Sequence, residues 1–179
     1  MALKDIVAQR KRGLLDAIAG AERSFGDYGA VNPGTDDTAL GRYQLMEPAI
    51  IDAGMKDRVG RWTGRQGIFG ENDFLNDPVA QDQAMQDYFD MLEGQLTDKG
   101  AWDKIGQEIR GVKATFQITP QGLLAAAHRQ GADAVRRYLD HLAQRGWASD
   151  VDTLGNTTEA TTYRRIETRL RSFETVPYR

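Results

Sequence analysis

Helical spacing runs through most of this chain and gives way to dense turn chemistry in the stretch from Gly26 to Gly41. Leu15, Ile18, Ala19 and Glu22 fall at i, i+3, i+4 and i+7 and so share one side of a helix. Met85, Tyr88, Phe89, Leu92 and Leu96 follow a helical spacing too, as do Val135, Tyr138, Leu139 and Leu142. Between Gly26 and Gly41 that period gives way to Gly26-Asp27-Tyr28-Gly29 and Asn32-Pro33-Gly34-Thr35-Asp36-Asp37, which is turn chemistry. Pro33-Gly34 suits the two central positions of a type II turn. A chain patterned this way is expected to fold as a mostly helical α+β protein, with one small, irregular β-hairpin or looped lobe near the N-terminal third.

Local signals set the expected boundaries. A helix is predicted over 3–23, broken near Gly13 and ending between Ser24 and Gly26. Helix resumes at about Glu47, with Pro48 in its first turn. The region from Gly60 to Asn76 has four glycines and no clean period, and reads as a loop. Asp77-Pro78 is an N-cap followed by proline at the first helical position, and Thr119-Pro120 repeats the signature. The second helix is small and apolar, with Leu123, Leu124, Ala126 and Ala127, and stops at Gly131. Another is expected over 132–145, then a polar stretch from Ala148 to Ala160, then a terminal helix over 161–173. No internal repeat is visible.

At 179 residues the chain suits one domain, or one domain with an appendage, and hides roughly 70% of its unfolded surface on folding. Net charge is −3 and the pI about 5.4, so no global field points to nucleic acid. With no cysteine there is no disulfide, no thiol catalysis and no Cys-ligated zinc. The start is a charged amphipathic segment rather than a signal peptide, and no stretch approaches the roughly 20 apolar residues of a membrane span. The expectation is synthesis in the cytoplasm without membrane insertion, with delivery by other machinery if the protein acts elsewhere.

Glu22 closes the first apolar face. A carboxylate on that stripe is expected to turn toward the core, where burial favours the neutral acid. An acid that stays protonated near neutral pH can donate its proton to a leaving group, which is what breaking a glycosidic bond requires. The plainer role for such a residue is a helix-end carboxylate in a salt bridge.

The run from Ala21 to Met46 resembles the lysozyme-like superfamily, in particular its lytic transglycosylases. The matching residues are Glu22, Ser24 and Gly26, then Gly41-Arg42-Tyr43-Gln44. In that family a helix delivers a catalytic Glu, commonly followed by Ser and Gly. A turn-rich segment comes next, and a Gly-x-x-Gln element opens the following helix. Arg23 stands between Glu22 and Ser24, where the common pattern has them adjacent. A second block, Gly122 to Leu139, is similar to the family's late Ala-x-Tyr-Asn-Ala-Gly motif, with His128 where Tyr is usual and Arg129 where Asn is usual. Tyr163 offers a weaker match to a late tyrosine lining the family's cleft.

The resemblance implies a single lysozyme-like domain over 1–179, with a catalytic core over about 14–146 and a C-terminal helical extension over 147–179. It implies a small β-hairpin lobe beside a larger helical lobe. It further implies cleavage of the β-1,4 bond between N-acetylmuramic acid and N-acetylglucosamine in peptidoglycan, with Glu22 as general acid and then base and no cofactor. Gln44 would hold the N-acetyl group of a sugar, or act as a turn cap. Tyr43 would face a sugar ring, or belong to the core. Ser24, His128 and Tyr163 complete the candidate substrate-binding set. Asp36 and Asp37 are either a solvated turn or the second carboxylate that glycosidases usually employ. With only a turn there, an anhydro product and a lytic transglycosylase follow; with a water-positioning role, a muramidase-type hydrolase.

The two histidines, His128 and His141, have no third ligand at metal spacing, so no metal site is expected. Asp150-Val151-Asp152-Thr153-Leu154-Gly155 opens like a calcium loop, but the twelfth position is Thr161 rather than Glu. The arginines of the C-terminal third read as a solvated helix face, or as a surface attracting the anionic cell wall. The expected partner is peptidoglycan glycan strands, met at the cell wall or periplasm after delivery by a phage-type particle, a holin route or a secretion system. The alternative is a non-catalytic component of a phage particle or secretion apparatus that keeps the fold and binds glycan or partner proteins.

Overall fold

The computed structural model describes residues 13–22, 27–33 and 38–178. Among them the chain is mostly helical α+β, with seven α-helices and two small antiparallel β-hairpins. It divides into two compact units, one running through Met91 and the other from Leu92 to Tyr178.

In the first unit, helix α1 (residues 13–21) buries Leu14, Leu15, Ile18 and Ala19 and exposes Asp16 and Gly20, as the stripe predicted. Strands β1 (Val31–Pro33) and β2 (Thr38–Leu40) pair antiparallel, Val31 opposite Leu40 and Pro33 opposite Thr38. Pro33 is tolerated because an edge strand does not need its missing N–H. Pro33 ends β1, and the remainder of the expected Pro33-Gly34 turn lies outside the described residues, as does the start of the predicted first helix. Leu40 and Leu45 exchange backbone bonds at 2.9 and 3.0 Å, closing residues 41–44 into a tight turn. Helix α2 (Glu47–Asp52) then begins with Pro48 in its first turn and buries Ala49 and Ile50.

The stretch 60–76 is not all loop. It holds a 3-10 turn, Arg65–Gly67, and helix α3 (Glu71–Asn76). A six-residue helix is too short to display a period, and a single buried side chain, Phe74, anchors it, 5.5 Å from the Trp62 ring. Helix α4 (Pro78–Asp98) starts where the cap signature placed it, with Asp77 Oδ1 accepting from Ala80 N at 2.9 Å. Its Met85, Tyr88, Phe89, Leu92 and Leu96 are all buried.

In the second unit, strands β3 (Glu108–Arg110) and β4 (Thr115–Gln117) form a second hairpin, which corrects the expectation of one β element. Ile109 and Phe116 face each other inward, and their neighbours point out. The alternation is present in the sequence, but three residues per strand carry little signal. Helix α5 (Pro120–Gln130) is capped by Thr119, whose hydroxyl accepts from Gly122 N at 3.2 Å. Every residue from Gln121 to Ala127 is buried. Gly122 admits helix α7 (Thr158–Ser172) so closely that a Cβ there would lie 3.0 Å from Leu170 O. Helix α6 (Ala132–Ala143) follows Gly131 and buries Val135, Tyr138, Leu139 and Leu142. Helix α7 begins earlier than its apolar residues suggested because Thr157 caps it, accepting from Ala160 N at 3.1 Å. It packs on both α5 and α6.

Candidate functional site

Helix α1 ends one residue before Glu22, whose amide still reaches back to Ile18 O at 2.9 Å. The apolar stripe stops where the helix stops. Glu22 is therefore half-buried at the end of α1, not sealed in the core as its place in the stripe suggested. Ser24, Asp36 and Asp37 lie outside the described residues, so the structure gives them no place.

The turn after β2 holds the other first-unit candidates. Gly41 and Gln44 both take the left-handed conformation, φ +71° and +51°, which is common for glycine and rare for a glutamine. Gln44 Nε2 donates to Gly41 O at 3.0 Å, so the side chain caps the turn that carries it. Tyr43 is 1% exposed and points inward, which is the core role rather than the sugar-facing one. Its hydroxyl donates to Asp82 Oδ1 at 2.7 Å. Burial, then the hydrogen bond to Asp82, pushes the Tyr43 phenol far above its usual range.

A buried polar network holds this turn, and spacing alone does not reveal it. Gln81, 1% exposed on α4, accepts from Arg42 N at 2.9 Å and donates to Tyr28 O at 2.9 Å and Phe74 O at 2.8 Å. Asp82 accepts from Tyr28 Oη at 3.0 Å as well as from Tyr43. Arg42 donates through Nη1 to Tyr28 Oη at 2.7 Å and through Nη2 to Asp16 on α1. The Arg42 guanidinium also lies 5.1 Å from the Tyr28 ring centroid and 5.6 Å from that of Tyr43. Helix α1, the turn and the start of α4 are thereby tied together. The only sequence signal was an uncharged polar residue, Gln81, on the buried side of a helix otherwise lined with apolar groups.

The remaining candidates belong to the second unit. His128 is half-buried in the last turn of α5, and Arg129 beside it is exposed. Tyr163 is buried in α7, its ring 5.2 Å from Tyr138 and 5.2 Å from His141, its hydroxyl donating to Glu159 at 3.1 Å. Burial, with that bond, raises its phenol pKa. Tyr163 is an interhelical packing residue within this unit.

Two polar clusters of the second unit escaped sequence reasoning. Glu167, 3% exposed, accepts from Val112 N at 3.0 Å, Tyr138 Oη at 2.7 Å and Ser149 Oγ. Burial and then the Glu167 charge push the Tyr138 phenol far above its usual range. Asp150 meets His141 Nε2 at 2.6 Å and Arg145 Nε at 2.7 Å. Burial works to raise the Asp150 pKa, but these two partners outweigh it and hold the carboxyl below its ordinary value. Among the described residues no cluster of His, Asp or Glu is arranged to hold a metal ion, and no helix is long and apolar enough to cross a membrane.

No family model, curated protein or solved structure matches the chain.

Proposed function

We propose that this chain is a peptidoglycan-cleaving glycosidase with a lysozyme-like arrangement, acting on the β-1,4 bond between N-acetylmuramic acid and N-acetylglucosamine. The observation that carries the reading is an order of elements. An amphipathic helix ends at a half-buried carboxylate, Glu22; an antiparallel hairpin follows; a braced turn then presents Gln44 at the head of the next helix. Partial burial suits a proton donor, because the acid must be screened from water and yet reach a glycosidic oxygen. Gln44 uses one amide N–H on Gly41 O, and among the described residues its Oε1 accepts nothing, which leaves it free to bind an N-acetyl group.

In this reading Glu22 protonates the leaving oxygen and afterwards acts as the base. Water delivered by Asp36 or Asp37 yields a reducing end and a muramidase. Attack by the substrate's own hydroxyl yields an anhydro end and a lytic transglycosylase. The protein would work on glycan strands at the cell wall, carried there by a particle, a holin route or a secretion system.

The test is digestion of purified sacculi followed by mass analysis of the released muropeptides. Wild-type protein should generate new ends, and Glu22→Gln should generate none while keeping its circular dichroism spectrum. New ends from Glu22→Gln at the wild-type rate refute the assignment of Glu22. Glycan binding by wild-type protein without any new ends would instead identify a non-catalytic binding component.

A further inference from the structure

A cavity of about 240 Å³ opens in the second unit, and none of the residues assigned to glycan cleavage lines it. One wall is the face of α7 that carries Arg164, Glu167, Thr168 and Arg171 at i, i+3, i+4 and i+7. Val112 and Lys113, from the turn between β3 and β4, form a second side. Val151 and Asp152, from the segment before α7, form a third.

The lining is charged in an unequal way. Lys113, Arg164 and Arg171 contribute three cations, and Asp152 and Glu167 two carboxylates. Glu167 already accepts from Val112 N, Tyr138 Oη and Ser149 Oγ, so its role is to brace the floor. Arg164 is oriented by one bond, from Nη2 to Gly155 O at 2.6 Å. Among the described residues Lys113, Arg171 and Asp152 line the cavity and make no ion pair. Guanidinium groups pair with carboxylates in a planar, two-bond geometry, and a carboxylate such as Asp152 pairs with an ammonium. Val112 and Val151 add a short apolar surface that an inorganic anion would not use.

We infer that this cavity binds an acidic amino acid, a ligand with two carboxylates and one ammonium joined by a short aliphatic stem. The carboxylates lie against Lys113, Arg164 and Arg171, the ammonium against Asp152 and the stem against the two valines. The net charge of such a ligand is opposite in sign to the surplus of the lining. The volume lies just below the usual range for pockets that hold drug-sized molecules, which fits a ligand of amino-acid size.

The experiment is calorimetric titration of the full chain at low salt with L-glutamate, D-glutamate, glutarate and inorganic phosphate, each separately. Saturation by one glutamate enantiomer, several-fold tighter than by glutarate, is expected. Arg171→Gln and Lys113→Gln, both outside the buried core, should each weaken it about tenfold or more, the loss of one charge-assisted pair. Asp152→Asn should abolish the preference for glutamate over glutarate. The inference is overturned if neither enantiomer saturates by about 10 mM, if phosphate or glutarate binds as well as glutamate, or if the variants bind like wild type. Peptidoglycan cleavage does not enter this readout, so the cavity and the role of Glu22 stand or fall separately.

Discussion

Replacing Gly41 by alanine tests whether Gln81 organises the turn that presents Gln44. Two costs are expected. The left-handed backbone at φ +71° costs a non-glycine residue about 1 kcal/mol. The new Cβ would also sit 2.1 Å from Gln81 Oε1 and 2.7 Å from its Cδ, closer than a Cβ approaches non-bonded atoms. Gln81 is a flexible side chain and can rotate away, but doing so abandons Arg42 N, Tyr28 O and Phe74 O together. Each lost partner costs roughly 1 kcal/mol or more, depending on how dry it is left. Gly41→Ala should therefore destabilise the first unit by about 3–5 kcal/mol. The diagnostic is the same substitution in a Gln81→Ala background, where the clash is gone. There the cost should fall to the backbone component of about 1 kcal/mol, a coupling of at least about 2 kcal/mol. Urea unfolding followed by circular dichroism supplies the free energies, and hydrogen exchange at the Arg42 amide reports the local bond. Equal costs in the two backgrounds would refute the view that Gln81 keys the turn.

Three further outcomes are expected. Glu167→Ala removes the acceptor for three donors and should cost about 3–5 kcal/mol, read as a lowered Tm of the second unit, whereas truncation of the exposed Glu108 should cost less than about 0.5 kcal/mol. Asp150 has a folded pKa below its ordinary 3.8, so its stabilising contribution is fully present above about pH 5 and is lost as pH falls through the folded value. The urea midpoint of Asp150→Asn should consequently vary less with pH across that acidic window than that of the wild type. Thr119→Ala should cost about 1 kcal/mol by removing the cap on Gly122 N, and Thr119→Ser should restore most of it in thermal melts.

Helix starts were the most legible part of this fold, because capping is local chemistry. Asp77-Pro78 and Thr119-Pro120 announce α4 and α5, and each side-chain cap is where the dipeptide put it. Burial of the long helices was legible for a related reason, since a period sustained over several turns leaves few alternatives. Helix α3 and the β3–β4 hairpin were not, because six residues and two runs of three are shorter than the repeat that would reveal them. The stripe that contains Glu22 does not fix its burial, because a stripe buries nothing beyond the end of its helix. Tyr43 could be assigned to core or surface only once Asp82 was seen beneath it. The pairings of Gln81, Asp82 and Glu167 were illegible because most of their partners stand 29 to 55 positions away, and no pattern within a short window encodes them.

The bonds of Gln81 also set an order of events during synthesis. Arg42 is translated 39 residues before the amide that fixes its backbone, and Tyr28 53 residues before. Until the head of α4 has been made, the segment bearing Gln44 has its local Leu40–Leu45 bonds but not those of Gln81. A nascent chain cut short ahead of Pro78 would contain Glu22 and Gln44 and still lack the clamp on the turn that carries Gln44.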